Sequence, residues 1–514
     1  MLKANYELEL SATDRLIFEQ LVPSDHYLRQ LKDTLDFTPC RALVAECYAP
    51  RLGRGAIDPV RLLKLLLLGE HYALADEKLI QMAQVNVAFR FFLDWPLAVP
   101  LPEPSLLSQF RSRLGTERFQ KIFHEILRQA RRAGLVQDRL RLKDATHVIA
   151  NVAIPATLEL VAQMRTKLLD AAEKFAPDEV AAHRQKADEI RQSSRDQSNE
   201  ARLLLRVNHL RDLVAWGEQW LAKLTDAAPK DAPAVAFEAL LTQARKVLND
   251  REPKAKDQLR ALTDPDARRN KHGEFYDGYL CDVMMDADSE LITALDILVA
   301  NADEAANAQA LLAQEEDAHG NDVQQLSIDA IGYNGAVLQA LSDDADGPQV
   351  TVFVPPKEQP PRHPELFQGD AFTLNEAGDE LTCPQGETTK TRAHDGKQHG
   401  WVYHFRTAQC RNCPLRAQCI PAKNKQPRQV SKNNFQAQYT AAQQRATTDE
   451  YKQIRKQHPA IERKLNELVR WHQGRHVRYR GRGRVQIQFL LLGLVVNCKR
   501  IVRLLLAAPS AQPA

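Results

Sequence analysis

The spacing of apolar positions changes several times along the chain, and each change marks a boundary. Up to about residue 138 the period is helical. Asp58-Pro59 supplies an N-cap and a proline for the first helical position ahead of Val60, Leu62, Leu63, Leu65, Leu66 and Leu67, which predicts a buried helix. A second helix is predicted from Asp76 to about Phe91. After a proline-rich break, a short helix should start at Ser105 and stop at Gly115, carrying Arg111 and Arg113. At Arg139 the period switches to two: Leu140 and Leu142 alternate with Arg141 and Lys143, which predicts a strand. Asp144 shares the parity of the leucines, at the inward edge of that strand, where the plain alternative is a turn aspartate.

Residues 155–262 return to a helical period, rich in Ala, Leu, Glu, Lys, Gln and Arg and nearly free of glycine. They predict two or three long inserted helices of scaffolding type, with no chemistry of their own. Strands follow at Phe275–Met285 and Leu291–Val299, joined by a turn at Asp286–Ser289, and then a helix from about Asp303 to Gln314. Val323–Asp329 and Val350–Val354 are two more strands, the first ending in an acid before Gly332. A last helical section starts at Pro459, where His458 is biased away from helix, and stops at Gly474. Residues 475–484 then form a flexible basic arm, and Val485–Leu506 a buried closing helix.

Charge sharpens this division. Between Tyr451 and Arg503 there are 14 Lys or Arg and two acids, Glu462 and Glu467, a net +12 in a chain of +3. Such a segment is the footprint of a polyanion, and nucleic acid fits best. Residues 281–350 are the reverse, with 15 acids and no Lys or Arg. Acids at strand ends suit a divalent cation, with a solvated acidic face as the plain alternative. Composition is otherwise that of a globular protein, 44% hydrophobic and 26% charged, long enough for two to four domains. The N-terminus has no apolar core of a secretory signal, and no apolar run approaches the ~20 residues of a membrane span, so a cytoplasmic, nucleoid-associated protein without membrane partners is expected.

Half of the eight cysteines fall within residues 383–419, as Cys383, Cys410, Cys413 and Cys419 in the pattern C-x26-C-x2-C-x5-C. Four thiolates with one C-x-x-C knuckle suit a tetrahedral structural zinc, which would help a small loop-rich module to fold; ordinary or redox cysteines are the alternative.

Taken in order, Asp144 follows a first strand, Asp329 a fourth, and Glu462 lies in the first turn of a late helix beside its packed stripe of Ile461, Leu465, Leu468 and His472. Glu467, five residues on, should be the more exposed and is the fallback for the third acid. The order strand, strand, strand, helix, strand, helix is that of an RNase H-like fold. Three convergent carboxylates can hold two Mg²⁺ (or Mn²⁺) ions about 4 Å apart for in-line phosphoryl transfer. The fold class expected is therefore α/β (α+β overall, multi-domain): an RNase H-like mixed sheet with flanking helices, an N-terminal all-α domain and a helical insertion.

At these motifs the chain resembles bacterial insertion-sequence transposases of the DDE class. Asp58-Pro59 with its leucine-rich helix and Ser108–Gly115 resemble an InsH-type N-terminal domain. Lys143-Asp144-Ala-Thr resembles the first-aspartate strand, Asp264-Pro-Asp-Ala-Arg and Gly278-Tyr279 a stretch ahead of the second, and Ile328–Tyr333 the second-aspartate strand. The cysteine box occurs at the same place in similar transposases, and Ile461-Glu462-Arg-Lys, Arg478–Gly481 and Asn497–Arg500 resemble the third-acid region. Tyr451, Arg455 and Glu462 stand further apart than the family's spacing, with no lysine at the expected place.

The resemblance implies cleavage at element ends and transfer of the freed 3′-OH into target DNA, with Asp144, Asp329 and Glu462 as catalytic metal ligands. It also implies double-stranded DNA as partner and a homodimer when two ends are synapsed. Arg111, Arg113, Arg475, Arg478, Arg480, Arg482 and Arg484 are the expected DNA contacts. The expected division is a helix-turn-helix-like domain at 1–138 and a catalytic domain at 139–505. The latter is interrupted by the helical insertion (155–262) and the cysteine-box insertion (357–435), and a disordered tail follows at 506–514. The competing readings are a catalytically inactive or domesticated DNA-binding protein and a structure-specific nuclease with the same metal site.

Overall fold

The structure, a computed structural model, describes residues 8–49, 55–227, 232–252, 255–342, 347–357, 363–396 and 399–507. A mixed sheet organises it: β1 (Leu140–Ile149), β2 (Arg268–His272), β3 (Glu274–Asp286), β4 (Ile292–Val299), β5 (Gln325–Ser327) and β6 (Thr351–Phe353). The strand order is β4-β3-β1-β5-β6, with β2 beside the start of β3. β3 runs antiparallel to β1 and β4, whereas β5 and β6 run parallel to β1. This is the RNase H-like order expected. The β3–β4 turn is closed by Asp286, whose carboxylate accepts from Ser289 N (2.8 Å) and Oγ (2.7 Å).

The register sets up a gap. β5 pairs only with Leu140–Leu142. The same edge of β1 is next bridged at Ile149, which accepts from Val477 N (3.0 Å) and donates to Arg475 O (2.8 Å). Asp144 lies in the stretch between.

The N-terminal helices pack on this sheet. Asp58 caps the helix Pro59–His71 by accepting from Val60 N (3.0 Å), and Leu62 to Leu68 are buried on every side. They share one continuous core with Leu140, Leu142, Val283 and the closing helix Arg482–Ala507. One expectation is corrected. The helix from Asp76 ends at Val85, because Asn86 leaves helical geometry and caps a second helix, Val87–Leu93. The helix from Ser105 breaks at Gly115 as expected: glycine takes φ 62° there, a conformation open to it without strain, and a further helical stretch runs from the kink to Arg132 with Phe119, Ile122, Phe123 and Ile126 buried.

The insertion holds four helices rather than two or three: Thr157–Ala172, Pro177–Ser193, Asn199–Ala227 and Ala232–Asn249. They enclose their own core of Leu160, Val161, Met164, Leu168, Val207, Leu210, Leu213, Phe237 and Leu241. Between 363 and 433 lie two small three-stranded sheets around Phe372, Leu381, Tyr403, Phe405 and Val430. After that module, the helices Asp449–Gln457 and Pro459–Asn466 meet at His458, which stays helical (φ −52°, ψ −39°). Tertiary packing outweighs the usual pre-proline bias there, since the imidazole is buried against Ser327 (Nδ1 to Oγ, 3.1 Å). A π-helical turn, Glu467–Trp471, follows. The closing helix extends to Ala507, and the rest of the expected tail, 508–514, lies outside the described residues. Among the described residues no helix is long and apolar enough to cross a membrane.

Candidate active site

Strand alternation puts Asp144 on the face of β1 that carries Leu140 and Leu142, over which the helix Pro459–Asn466 packs through Ile461 and Leu465. Ala145 N donates to its Oδ1 (2.8 Å). Burial pushes the Asp144 carboxyl up, the Ala145 amide opposes this, and Asp329 and Glu304 push it further, to about 7. Asp329 ends β5 and caps a single 3-10 turn, accepting from Ile331 N (3.1 Å). Glu462 is exposed in the first turn of its helix.

Arg455 braces the strand end that leads to Asp329. Its Nη1 donates to Ser327 Oγ (3.0 Å) and Ile328 O (2.8 Å), which pins the strand end just before Asp329. Burial lowers the guanidinium pKa, while Tyr451, Asp329, Glu462 and Asp144 raise it, so all three acids lie within electrostatic reach of one cation.

Glu304 was not singled out in the sequence. It lies in the loop after β4, and Lys143 draws that loop in: its Nζ donates to Glu304 O (2.5 Å) and pairs with the buried Asp282 (2.9 Å). Burial raises the Glu304 carboxyl and Lys143 opposes, with Asp282 and Asp329 raising it further. The signal for it was the run of acids without a cation at 281–350, which does not say which acid turns inward.

Glu467 is corrected. It is half-buried rather than solvated, and pairs with Lys464 (3.1 Å) and Lys499 (2.8 Å). Lys499 belongs to the closing helix, so the Glu467 carboxylate is committed there. Of the two acids, Glu462 is the one that acts on the Arg455 guanidinium.

The arginine segment is no loose arm either. Arg475 donates to His147 O and lies 3.4 Å from Thr146 Oγ1, on the edge of β1 just past Asp144. Arg478 reaches Glu70 (3.4 Å), Arg480 Nε donates to Asn151 O (2.9 Å), and Arg482 Nε donates to Ile297 O (2.6 Å). Gly481 N and Arg482 N donate to Asp264 (3.1 Å) and Asp266 (2.9 Å). Arg484 is exposed and lines a cleft of ≈ 380 Å³ with Ser108, Arg111 and Tyr479. Arg111 itself is turned inward, forked onto Asp76 with its guanidinium 5.2 Å from the Tyr479 ring, so packing rather than solvent holds it. Arg113 is exposed over Tyr48 (4.9 Å).

Cys383, Cys410, Cys413 and Cys419 line one cavity of ≈ 30 Å³ with Arg416 and Arg428. Burial raises the Cys419 thiol, Arg428 opposes, and the other three cysteines raise it further.

Two family models match the chain: the Transposase domain (DUF772) over residues 16–113 and the Transposase DDE domain over residues 382–502. The chain thus has one segment like each of these transposase domains. No curated protein and no solved structure matches it. The matched segments hold Arg111, the four cysteines, Glu462 and the arginine segment, with Arg113 at the edge of the first. Asp144 and Asp329 fall between them.

Transposase DDE domains work with divalent metal ions, and the oxygen-only donor set of Asp144, Asp329 and Glu462 has the hardness Mg²⁺ or Mn²⁺ requires. The elevation of Asp144, due first to burial and then to Asp329 and Glu304, is also what a bound cation would relieve. The acids fit in chemistry but not as a formed ligand shell: among the described residues no three His, Cys, Asp or Glu side chains are gathered as a metal-holding group. The same holds for the four cysteines.

Proposed function

We propose that this transposase cuts DNA at the ends of its own insertion sequence and joins the freed 3′-OH to target DNA. Asp144, Asp329 and Glu462 would hold the divalent cations, and the cysteine box a structural zinc. The observation that supports this reading is that Asp144, Asp329 and Glu462 all act electrostatically on Arg455, beside the point where β5 leaves β1. When bound, such a cation pair supplies the Lewis acidity that activates the attacking oxygen and neutralises charge on the leaving one.

The chain's own residues do the rest. Lys143 and Arg455 fix the backbone on either side of the acids, through Glu304 O and Ile328 O. Arg475 closes the far end of the gap on β1 and, with Arg480, Arg482 and Arg484, lines the approach for phosphates. Two copies synapse the two ends.

Substituting Asp144 by Asn tests the reading in a Mg²⁺-dependent cleavage assay on duplexes bearing the element ends. Nicked and joined products should vanish while DNA binding persists. Undiminished cleavage would refute the assignment. A wild-type chain that binds these duplexes without cutting would favour the DNA-binding reading, and cutting without joining the nuclease.

A further inference from the structure

The helical insertion looked chemically silent in sequence. The structure shows a buried cationic cluster in it. Arg165 on the helix Thr157–Ala172 is 6% exposed, and Arg206 and His209 on the helix Asn199–Ala227 are 8% and 1% exposed. Arg165 Nη1 lies 3.2 Å from His209 Nδ1, and Arg206 Nη1 donates to Leu158 O (3.1 Å). Arg165 Nε, Arg206 Nε and His209 Nε2 are buried without a partner, as is Nε of the half-buried Arg202, one turn before Arg206. The Arg165–His209 contact leaves Nδ1 as acceptor and Nε2 as donor. Every unsatisfied atom of the cluster is then an N–H.

Among the described residues no carboxylate contacts them; Glu159 and Asp212 act on Arg206 and His209 only at a distance. Among the described residues neither Arg165, Arg202 nor Arg206 forms an ion pair. The neighbouring acids are exposed and engaged elsewhere: Glu159 with Gln163 (3.1 Å), Asp212 with Lys186 (2.8 Å), and Glu179 with Trp216 and Trp220. Arg191, paired with Asp188 at the surface (3.0 Å), and His183 add to the positive side. Burial and Arg206 lower Arg165 to about 10, so its guanidinium stays charged at neutral pH. Buried charges normally come paired, because desolvation without a counter-ion costs more than packing returns.

We infer that Arg165, Arg206 and His209, with Arg202 at the rim, form a binding site for a phosphate-type oxyanion. Arginine forks and an imidazole N–H match the oxygens of such a group, and its charge replaces the missing carboxylate. The ligand is a phosphate group, either a phosphodiester of bound DNA or a free phosphate. The site does not depend on the chain cleaving DNA.

The test uses the full-length protein with inorganic phosphate as probe. At equal ionic strength, replacing chloride by millimolar phosphate should raise the melting midpoint by about 2 °C or more and broaden the ³¹P resonance. Arg206→Met should melt at or above wild type in chloride, since it removes an uncompensated charge, and should lose the phosphate shift. Arg165→Gln, which keeps polar character, should lose the shift as well. Adding a duplex of arbitrary sequence separates the sources. If DNA is the ligand, the duplex sharpens the ³¹P line and Arg206→Met reduces the salt slope of DNA binding by about one. If free phosphate is the ligand, the line stays broad and the slope is unchanged. The inference is overturned if wild type melts alike in both anions with an unbroadened ³¹P line. It is equally overturned if both variants melt lower by the same amount in either anion, which is the mark of packing alone.

Discussion

Arg141 and Asp144 stand on the same strand, within one another's neighbourhood, yet their surroundings are opposite. Arg141 is fully buried and holds Glu315 (2.6 Å), Asp286 (2.8 Å) and Asp138 (3.2 Å), while Arg131 from the bent helix reaches the same Glu315 and Asp138. Burial alone would raise Glu315, but Arg141, Thr293 and Arg131 outweigh it and bring it to about 2. Asp286 stays above its usual value because burial there outweighs the same guanidinium. At Asp144 burial is the largest cause and no guanidinium contact offsets it; Asp329 and Glu304 add to it, and the carboxyl goes the other way, to about 7. One cluster gives every acid a guanidinium in direct contact and joins the N-terminal helices to the sheet. The other carries excess negative charge that packing does not require. Acids with paired cations are scaffold; acids left in excess at a strand edge point to chemistry.

The sharpest way to break this comparison is to neutralise one acid in each cluster. Asp144→Asn should abolish strand cleavage while the melting midpoint stays level or rises, because repulsion is removed. Loss of folding in that variant would put Asp144 with the scaffold. Glu315→Gln should do the reverse. It leaves Arg141 and Arg131 buried against a neutral amide, at a cost of about 3–5 kcal/mol by chemical denaturation, with cleavage per folded molecule retained. The sign with pH agrees: the folded pKa of Glu315 is depressed, so its contribution is present above its unfolded value and fades as pH falls toward about 2.

The sequence displayed this contrast only in part. Strand parity marked Asp144, and strand ends marked Asp329, because both signals are local. The strands of the sheet, apart from Arg268–His272, followed from hydrophobic alternation and turn chemistry, again local. Glu304 was hidden, since what turns it inward is Lys143, more than a hundred residues earlier in the chain. Glu467 was misplaced because its partner Lys499 lies on the closing helix, a contact that periodicity within its own helix does not reveal. The arginines of 475–484 read as a loose arm, since composition says nothing of Asp264, Asp266 or Asn151 waiting in the loops beside the sheet. The buried arginines of the insertion went unseen because a long helical segment rich in Arg looks the same whether its cations face water or each other.

Glu70 offers an intermediate case. It is a buried acid of the helix Pro59–His71 that faces a single arginine, Arg478, at 3.4 Å, and its Oε2 has no partner. Burial raises it to about 7, with Arg478 and Arg111 opposing. A raised folded pKa means that its contribution is fully present below the unfolded value and is lost as pH rises through about 7. Glu70→Gln should therefore be more stable than wild type at pH 8, by up to ~3 kcal/mol, and no different at pH 4. Melting curves across that range decide it, and a variant less stable than wild type at pH 8 would class Glu70 with the paired scaffold.

Asp266 shows a third arrangement, in which backbone N–H groups stand in for a cation. It accepts from Arg482 N (2.9 Å), the first residue of the closing helix, so a distant loop supplies the helix cap. The neighbouring Asp264 likewise takes Gly481 N, where φ is 86° and a side chain would be strained. The two acids hold the turn that aims Arg482 and Arg484. Asp266→Ala should cost only ~1 kcal/mol, the worth of one cap. Its local effect should be larger than that suggests: amide exchange at Gly483 to Val485 should speed up, and duplex affinity should fall although no phosphate-binding side chain has changed. Unaltered exchange there would mean that the arginines are aimed by the helix core alone, and that the acids beside them serve no part in presenting DNA-binding charge.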